Sequence, residues 1–394
     1  MPRSLPLFTC LLLLNHVVVA REEIAELVRP VIEAQCAPAI VVACVEGDAV
    51  HVYGYGQLSR ENPIAPDGDT VFEIGSISKV FTGLLLAEMC QRGEVSLETP
   101  LAELLPAGVT PPATKQPMTL IHLATHRSGL PRLPGNLSPM NWEDPYADYT
   151  VEQLYGYVSG CRPEREPGDA YEYSNLGMGL LGHVLALRAN QSYEQLLIER
   201  ICRPLGMGAT RCTPDEQMLR RLAPGHDGAG WRIGSWQIPV LAGAGAIRST
   251  ANDLAEFVMA NLAGGDSPLE PAIRAAQAPQ QRVGGGMDIG LGWHIFRENG
   301  VLVHDGGTGG YSSLLALHPE KRIGVVVLAN GSTEYVNAIG LGVMKRMLGE
   351  PVEPMTVQNP LSRRMNITAQ RMMIRGMAEA AKNAARAEKD GAAP

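Results

Sequence analysis

The chain has 394 residues, 45% of them hydrophobic and 19% charged, with a formal net charge of -8 at pH 7. This length exceeds the usual single domain, so one large or two interleaved domains are expected. The acidic balance, with no basic run to outweigh it, argues against nucleic acid or an anionic membrane as the main partner.

The first residues read as an export signal. Arg3 supplies a positive start, Leu5 to Leu14 a short apolar run, and Val18-Val19-Ala20 a small-residue cleavage site. Residues 1–20 are therefore expected to be a signal peptide and the protein secreted or periplasmic, although Asn15 and His16 interrupt the pattern. No other segment approaches the ~20 apolar residues of a membrane span, so no stable membrane anchor is expected. Six cysteines follow the signal: Cys36, Cys44, Cys90, Cys161, Cys202 and Cys212. Their spacing fits neither a dense disulfide framework nor a metal motif, and they read as buried free thiols.

Residues 21–35 have helical periodicity, with Pro30 expected to kink or end the first turns. Two strand-like runs follow at 38–45 and 49–56, joined by a turn at Glu46-Gly47-Asp48. Helical intervals then dominate at 79–91, 119–127, 150–158, 174–189 and 192–202. Another helix begins near 249, with Ser249 or Thr250 as its cap and Gly264 as its stop. Strand patterns return in VLVHDG, YSSLLALHP and RIGVVVLAN, and a helix over 333–348 closes the pattern.

Strands at both ends with helices between predict an antiparallel sheet built from both chain ends, in an α/β (α+β type) fold with an inserted all-helical domain. The expected division is 21–95 with 240–350 as the sheet domain, 96–239 as the helical domain and 351–394 as a loosely attached tail. An active site is expected at the seam between the layers.

Three motifs carry chemistry. In Phe72-Glu-Ile-Gly-Ser76-Ile-Ser-Lys79, Ser76 and Lys79 stand three apart at the start of an apolar helix, on one face. The helix start offers amides and a favourable dipole to a serine oxygen. Burial would bring the lysine down toward a useful base. It is the only Ser-x-x-Lys in the chain. Tyr173-Ser-Asn175 precedes a second long apolar helix; the tyrosine can relay a proton and the asparagine can orient a carbonyl. His304-Asp305-Gly306-Gly307 ends a strand, where glycines admit substrate to the edge and a nearby amide can complete an oxyanion hole with that of Ser76.

Two copies of this spelling need separate accounts. Tyr335-Val336-Asn337 falls inside the closing helix and is read as coincidence. His226-Asp227-Gly228 is read as a loop with no strand around it. No Gly-x-Ser-x-Gly exists, which excludes the α/β-hydrolase signature. His122 and His126 are spaced like metal ligands but lack the adjacent glutamate, so packing or capping is expected and no metal or cofactor.

Ser76-Ile-Ser-Lys79, Tyr173-Ser-Asn175 and His304-Asp-Gly306, in this order, resemble the three motifs of the penicillin-recognising serine enzymes. The likeness is to class C β-lactamases, DD-peptidases, D-aminopeptidases and β-lactamase-fold esterases. TLIHLATHRSGLP at 119–131, PLGM at 204–207, AGAIRSTANDLAEF at 244–257 and GLGW at 290–293 extend it over residues 38–349. The resemblance implies Ser76 as acylated nucleophile, Lys79 and Tyr173 sharing the base role, Asn175 holding the substrate amide, and the amides of Ser76 and Gly307 as oxyanion hole. It implies a small-molecule β-lactam, D-amino-acid peptide or ester as substrate, with β-lactam hydrolysis first. A carboxylesterase, a D-peptidase and a slowly deacylating penicillin sensor are the alternatives; oligomeric state is left open.

Two departures bear on the substrate. His304 stands where a lysine is usual, a variant more like DD-peptidases and D-aminopeptidases, and would be only partly charged at neutral pH. Asp305 replaces a frequent threonine and, if it faces the cleft, would repel a substrate carboxylate. Arg132 and Leu133 stand where a glutamine is usual after Leu130-Pro131.

Overall fold

The structure is a computed structural model that describes residues 19–262 and 267–357. The expected signal peptide, save Val19 and Ala20, lies outside these residues, as do Gly264 and most of the tail. Among the described residues no helix is long and apolar enough to cross a membrane.

The described residues include twelve strands: β1 Ala39–Glu46, β2 Ala49–Gly56, β3 Val71–Glu73, β4 Gly225–His226, β5 Arg232–Ile233, β6 Arg248–Thr250, β7 Gln281–Gly284, β8 Met287–Ile289, β9 His294–Phe296, β10 Leu302–Gly307, β11 Ser312–His318 and β12 Ile323–Ala329. Eight form one antiparallel sheet in the order β2-β1-β12-β11-β10-β9-β8-β7. The early hairpin joins the late strands through β1 and β12, where Ile40 faces Ala329 and Glu46 faces Ile323. β3 and β6 pair apart from this sheet, as do β4 and β5.

The sheet is covered on both sides, which the period-2 geometry of strands makes readable residue by residue. Val41, Ala43 and Val45 pack with the Ser78–Gln91 and Ala251–Leu262 helices in the larger core. Ile40, Val42 and Cys44 point the other way, to Ile24, Val28 and Val31 of the Arg21–Glu33 helix and Ile339 and Val343 of the Tyr335–Met347 helix. β1 and β12 are accordingly buried over almost their whole length.

Several boundaries differ from expectation. The first helix runs through Pro30 to Glu33 without ending. The segment at 119–127 is helical only over Leu120–Ala124. The 192–202 segment changes to π-helix over Ile198–Cys202. Ser249 belongs to β6, and Thr250 takes the capping role, its Oγ1 accepting from Asp253 N at 3.1 Å. His226 lies in a short strand, contrary to the loop expected there, because its amide bonds Gly310 O and Asn330 O. β7 to β9 were not foreseen at all. Cys36, Cys44, Cys161 and Cys202 are buried and Cys90 and Cys212 half-buried, and none of the six is in a disulfide.

Candidate active site

The turn that carries Ser76 is fixed from two directions. Residues 75–77 form a single 3-10 turn leading into the Ser78–Gln91 helix. Ile74 N donates to Ile247 O at 3.0 Å, and Ile247 N donates back to Ser78 Oγ at 3.1 Å. Ser313 Oγ of β11 donates to Ile74 O at 2.8 Å. Gly75 has φ +50, a region that favours glycine. A Cβ on Gly306 would fall 2.0 Å from Ile74 O, so only glycine lets β10 lie against this turn.

Behind the turn sits a buried ion pair. Arg248 Nη2 lies 3.2 Å from Glu73 Oε1, both side chains 3% exposed or less. Glu73 Oε1 also accepts from Trp236 N at 2.9 Å, and Arg248 donates to Trp236 O at 2.6 Å. The pair thereby clamps the Trp236 segment beside Ser76. Burial alone would be costly for both ions; the extra backbone partners offset it.

Lys79 Nζ lies 2.8 Å from Ser76 Oγ and donates to Ala244 O at 2.7 Å. The lysine is fully buried. Burial pushes its pKa well below the ordinary lysine value, the Arg132 charge adds to this, and Asp305 opposes it. Burial therefore favours the neutral amine, which at this distance can accept the serine proton. The Tyr173 ring centroid is 4.9 Å from Lys79 Nζ. Burial raises the Tyr173 phenol, with the Ser76 hydroxyl pulling the other way, so it rests protonated.

Asn175 opens the Asn175–Ala189 helix, which Ser174 caps by accepting from Gly177 N at 2.8 Å. Ser174 Oγ also donates to Pro131 O, and Asn175 N to Arg132 O at 3.0 Å. These bonds tie the second motif to the Pro131-Arg132 segment. Asn175 Oδ1 is buried with no partner, as are Trp236 Nε1 and Thr308 Oγ1. All three residues line, with Ser76, Tyr146 and Gly307, a cavity of about 30 Å³. Orphaned buried polar groups are costly, and their convergence on one serine marks where substrate groups would satisfy them. A larger cavity of about 220 Å³ near His183 and Tyr193 contains none of these groups.

The histidine of the third motif is more fully neutral than its sequence suggests. His304 Nδ1 donates to Asp305 O at 2.6 Å, which leaves Nε2 buried and unpartnered. Burial, then His294 and Lys79, hold the His304 pKa well below the usual histidine value. The expected partial charge is corrected accordingly: a fully buried imidazole facing a lysine stays neutral. His294 Nε2 meets Tyr171 OH at 2.8 Å, and the His294 and His304 rings lie 5.3 Å apart. His126 accepts from Ser174 N at 3.1 Å and packs on Tyr173 at 4.5 Å between centroids. His122 caps its own helix through Thr119. Asp305 is exposed.

The structure thus brings Ser76, Lys79, Tyr173, Asn175, His304, Asp305 and the two glycines to one place, at the end of the sheet next to the helical segment. It adds Tyr171, His294, Trp236, Tyr146 and Ala244, which motif reading did not single out. Tyr171 is in the same YEYSN text as Tyr173, and Ala244 begins AGAIRS, so both had a sequence trace. Trp236 and His294 had none.

Fold and site together define a serine hydrolase. A family model described as Beta-lactamase matches residues 24–341. D-alanyl-D-alanine-carboxypeptidase/endopeptidase AmpH of Escherichia coli (strain K12) is 31% identical over 321 residues, covering 76% of this chain and 82% of that protein. The structure of a β-lactamase/D-alanine carboxypeptidase from Yersinia pestis, complexed with citrate, superposes with TM-score 0.72 at 28% identity, over 82% of this chain and 97% of the other. A class C β-lactamase structure from Rhodobacter sphaeroides gives TM-score 0.72 at 27% identity, over 82% and 99%. The chain belongs to the β-lactamase family.

Proposed function

We propose that the chain hydrolyses acyl bonds of D-amino-acid peptides or esters through an acyl-enzyme on Ser76, and favours leaving groups without a carboxylate. The observation that carries the mechanism is the 2.8 Å approach of a fully buried Lys79 amine to Ser76 Oγ.

Lys79 takes the Ser76 proton as Oγ attacks the carbonyl carbon. The amides of Ser76 and Gly307 hold the oxyanion. Tyr173, kept protonated by burial, donates to the departing amine or alkoxide as its bond to the acyl carbon breaks, and recovers a proton from Lys79. Water then attacks the acyl-enzyme and gives up one proton to the same pair. The Ser76–acyl bond breaks, and the serine hydroxyl and a carboxylic acid are released.

The substrate preference rests on the third motif. A neutral His304 offers no full charge to a substrate carboxylate, and exposed Asp305 opposes one. A likeness to a carboxypeptidase/endopeptidase supports peptide substrates. β-Lactam hydrolysis, first by sequence alone, becomes the second reading: the Ser76–Lys79–Tyr173 geometry and the likeness to class C enzymes support it.

The test compares acetyl-D-alanyl-D-alanine with its C-terminal amide, alongside intact-mass spectrometry after adding benzylpenicillin. Faster cleavage of the amide, lost in Ser76→Ala, is expected. Hydrolysis or penicillin labelling that persists in Ser76→Ala overturns the mechanism. A penicillin adduct that clears faster than either peptide turns over would put β-lactamase first.

A further inference from the structure

We infer that Arg132 is a specificity-determining residue: its guanidinium receives a carboxylate on the acyl side of the substrate. The inference rests on the acyl-enzyme reading above and names the substrate class more closely.

Arg132 is held at the cleft by its main chain, which leaves its side chain available. Its carbonyl accepts from Asn175 N at 3.0 Å and from Leu176 N at 3.2 Å, so it sits at the head of the helix that carries the second motif. Its guanidinium carbon lies 5.0 Å from the Tyr173 ring centroid. The residue is exposed, and among the described residues it forms no ion pair. Its charge nevertheless reaches Lys79, His126, Tyr146, Tyr171 and Tyr173. An arginine stacked on Tyr173 at a catalytic cleft, with no ion-pair partner among the described residues, is matched to an anion that arrives with the substrate.

The direction of binding follows from Asn175. Asn175 lines the cavity beside Ser76, and its Oδ1 has no partner, so it can accept an amide N–H of the acyl chain. A chain bonded there continues from Asn175 toward Arg132, whose main chain is bonded to Asn175. Asp305 lies on β10 with Gly307, and it does not pair with Arg132. The cleft therefore offers one cation to the acyl side and one anion near the oxyanion strand. The substrate that complements it carries its carboxylate upstream of the scissile bond and none just downstream.

The p-nitrophenyl esters of N-succinyl-D-alanine and N-acetyl-D-alanine share a leaving group and differ in one acyl-side carboxylate. The wild type is expected to favour the succinyl ester roughly tenfold in kcat/KM, the worth of a charge-assisted contact. In Arg132→Ala the ratio should fall to about one, carried by KM, while Arg132→Lys keeps part of it. Added salt should reduce the wild-type ratio and leave that of Arg132→Ala unmoved. Equal rates on the two esters in the wild type, or an undiminished ratio in Arg132→Ala, would overturn the inference with the acyl-enzyme intact. Ester hydrolysis that survives Ser76→Ala would instead overturn the acyl-enzyme reading and the inference with it.

Discussion

A Cβ atom on Gly75 would sit 2.7 Å from the amide nitrogen of Gly307, closer than side chains tolerate. The residue before the serine and the strand proposed to supply the second oxyanion amide are thus in backbone contact. Gly75→Ala must push them apart, and the positive φ of Gly75 adds strain. We expect kcat to fall about 100-fold or more, the cost of roughly an ångström of misplacement. Circular dichroism should remain that of the folded wild type. Near-normal kcat in a folded Gly75→Ala would show that this contact does not set the oxyanion geometry.

Lys79 is held at a pKa below its unfolded value, so the unfolded chain binds more protons between the two values. Stability therefore rises with pH through that window, and the penalty of burying the lysine is greatest below the folded pKa. Lys79→Met, similar in volume and uncharged, should be inactive yet more stable at neutral pH, on the order of 1–2 kcal/mol. Urea unfolding should show this gain shrinking as pH approaches the unfolded lysine value. A variant less stable than wild type at every pH would mean that the Ala244 hydrogen bond outweighs desolvation.

Asp305→Thr removes the exposed anion on β10. Turnover of benzylpenicillin relative to a neutral ester should rise roughly five- to tenfold, the scale of about 1 kcal/mol of charge repulsion near a surface. An unchanged ratio at low salt would mean that Asp305 does not confront the substrate.

His126, His294 and His304 are all held below the usual histidine range by burial. The unfolded chain gains these protons below about pH 6.5, so folding should weaken as pH falls through that value. Thermal unfolding of His304→Gln between pH 5 and 7.5 should show a shallower loss than the wild type. Equal slopes would assign the acid sensitivity to other groups, His126, His294, His122, His183 and His318 among them.

The long elements were legible because each has a periodic apolar face: the β1–β2 hairpin, the Asn175–Ala189 helix and the late strands lie within a residue or two of where alternation placed them. β7 to β9 were not, since GGGMDIGLGW carries too many glycines to alternate, and pairing with a neighbour supplies what local pattern does not. The three motifs were visible as text. Their surroundings were not: Trp236 reaches the site through Glu73, and Tyr171 through His294, across long separations in sequence. Burial is likewise invisible locally, which is why His304 read as partly charged.

The pairing of β1 with β12, and the contact of Gly75 with Gly307, have a temporal consequence. The serine and its lysine lie early in the sequence, but the β10 strand that meets their turn comes far along it. Closing so large a loop is slow, because its entropy is spent before the contacts repay it. Ser76 is thus expected to be chemically silent until β10 has docked against Gly75, and a covalent label on it would serve as a clock for that step of folding.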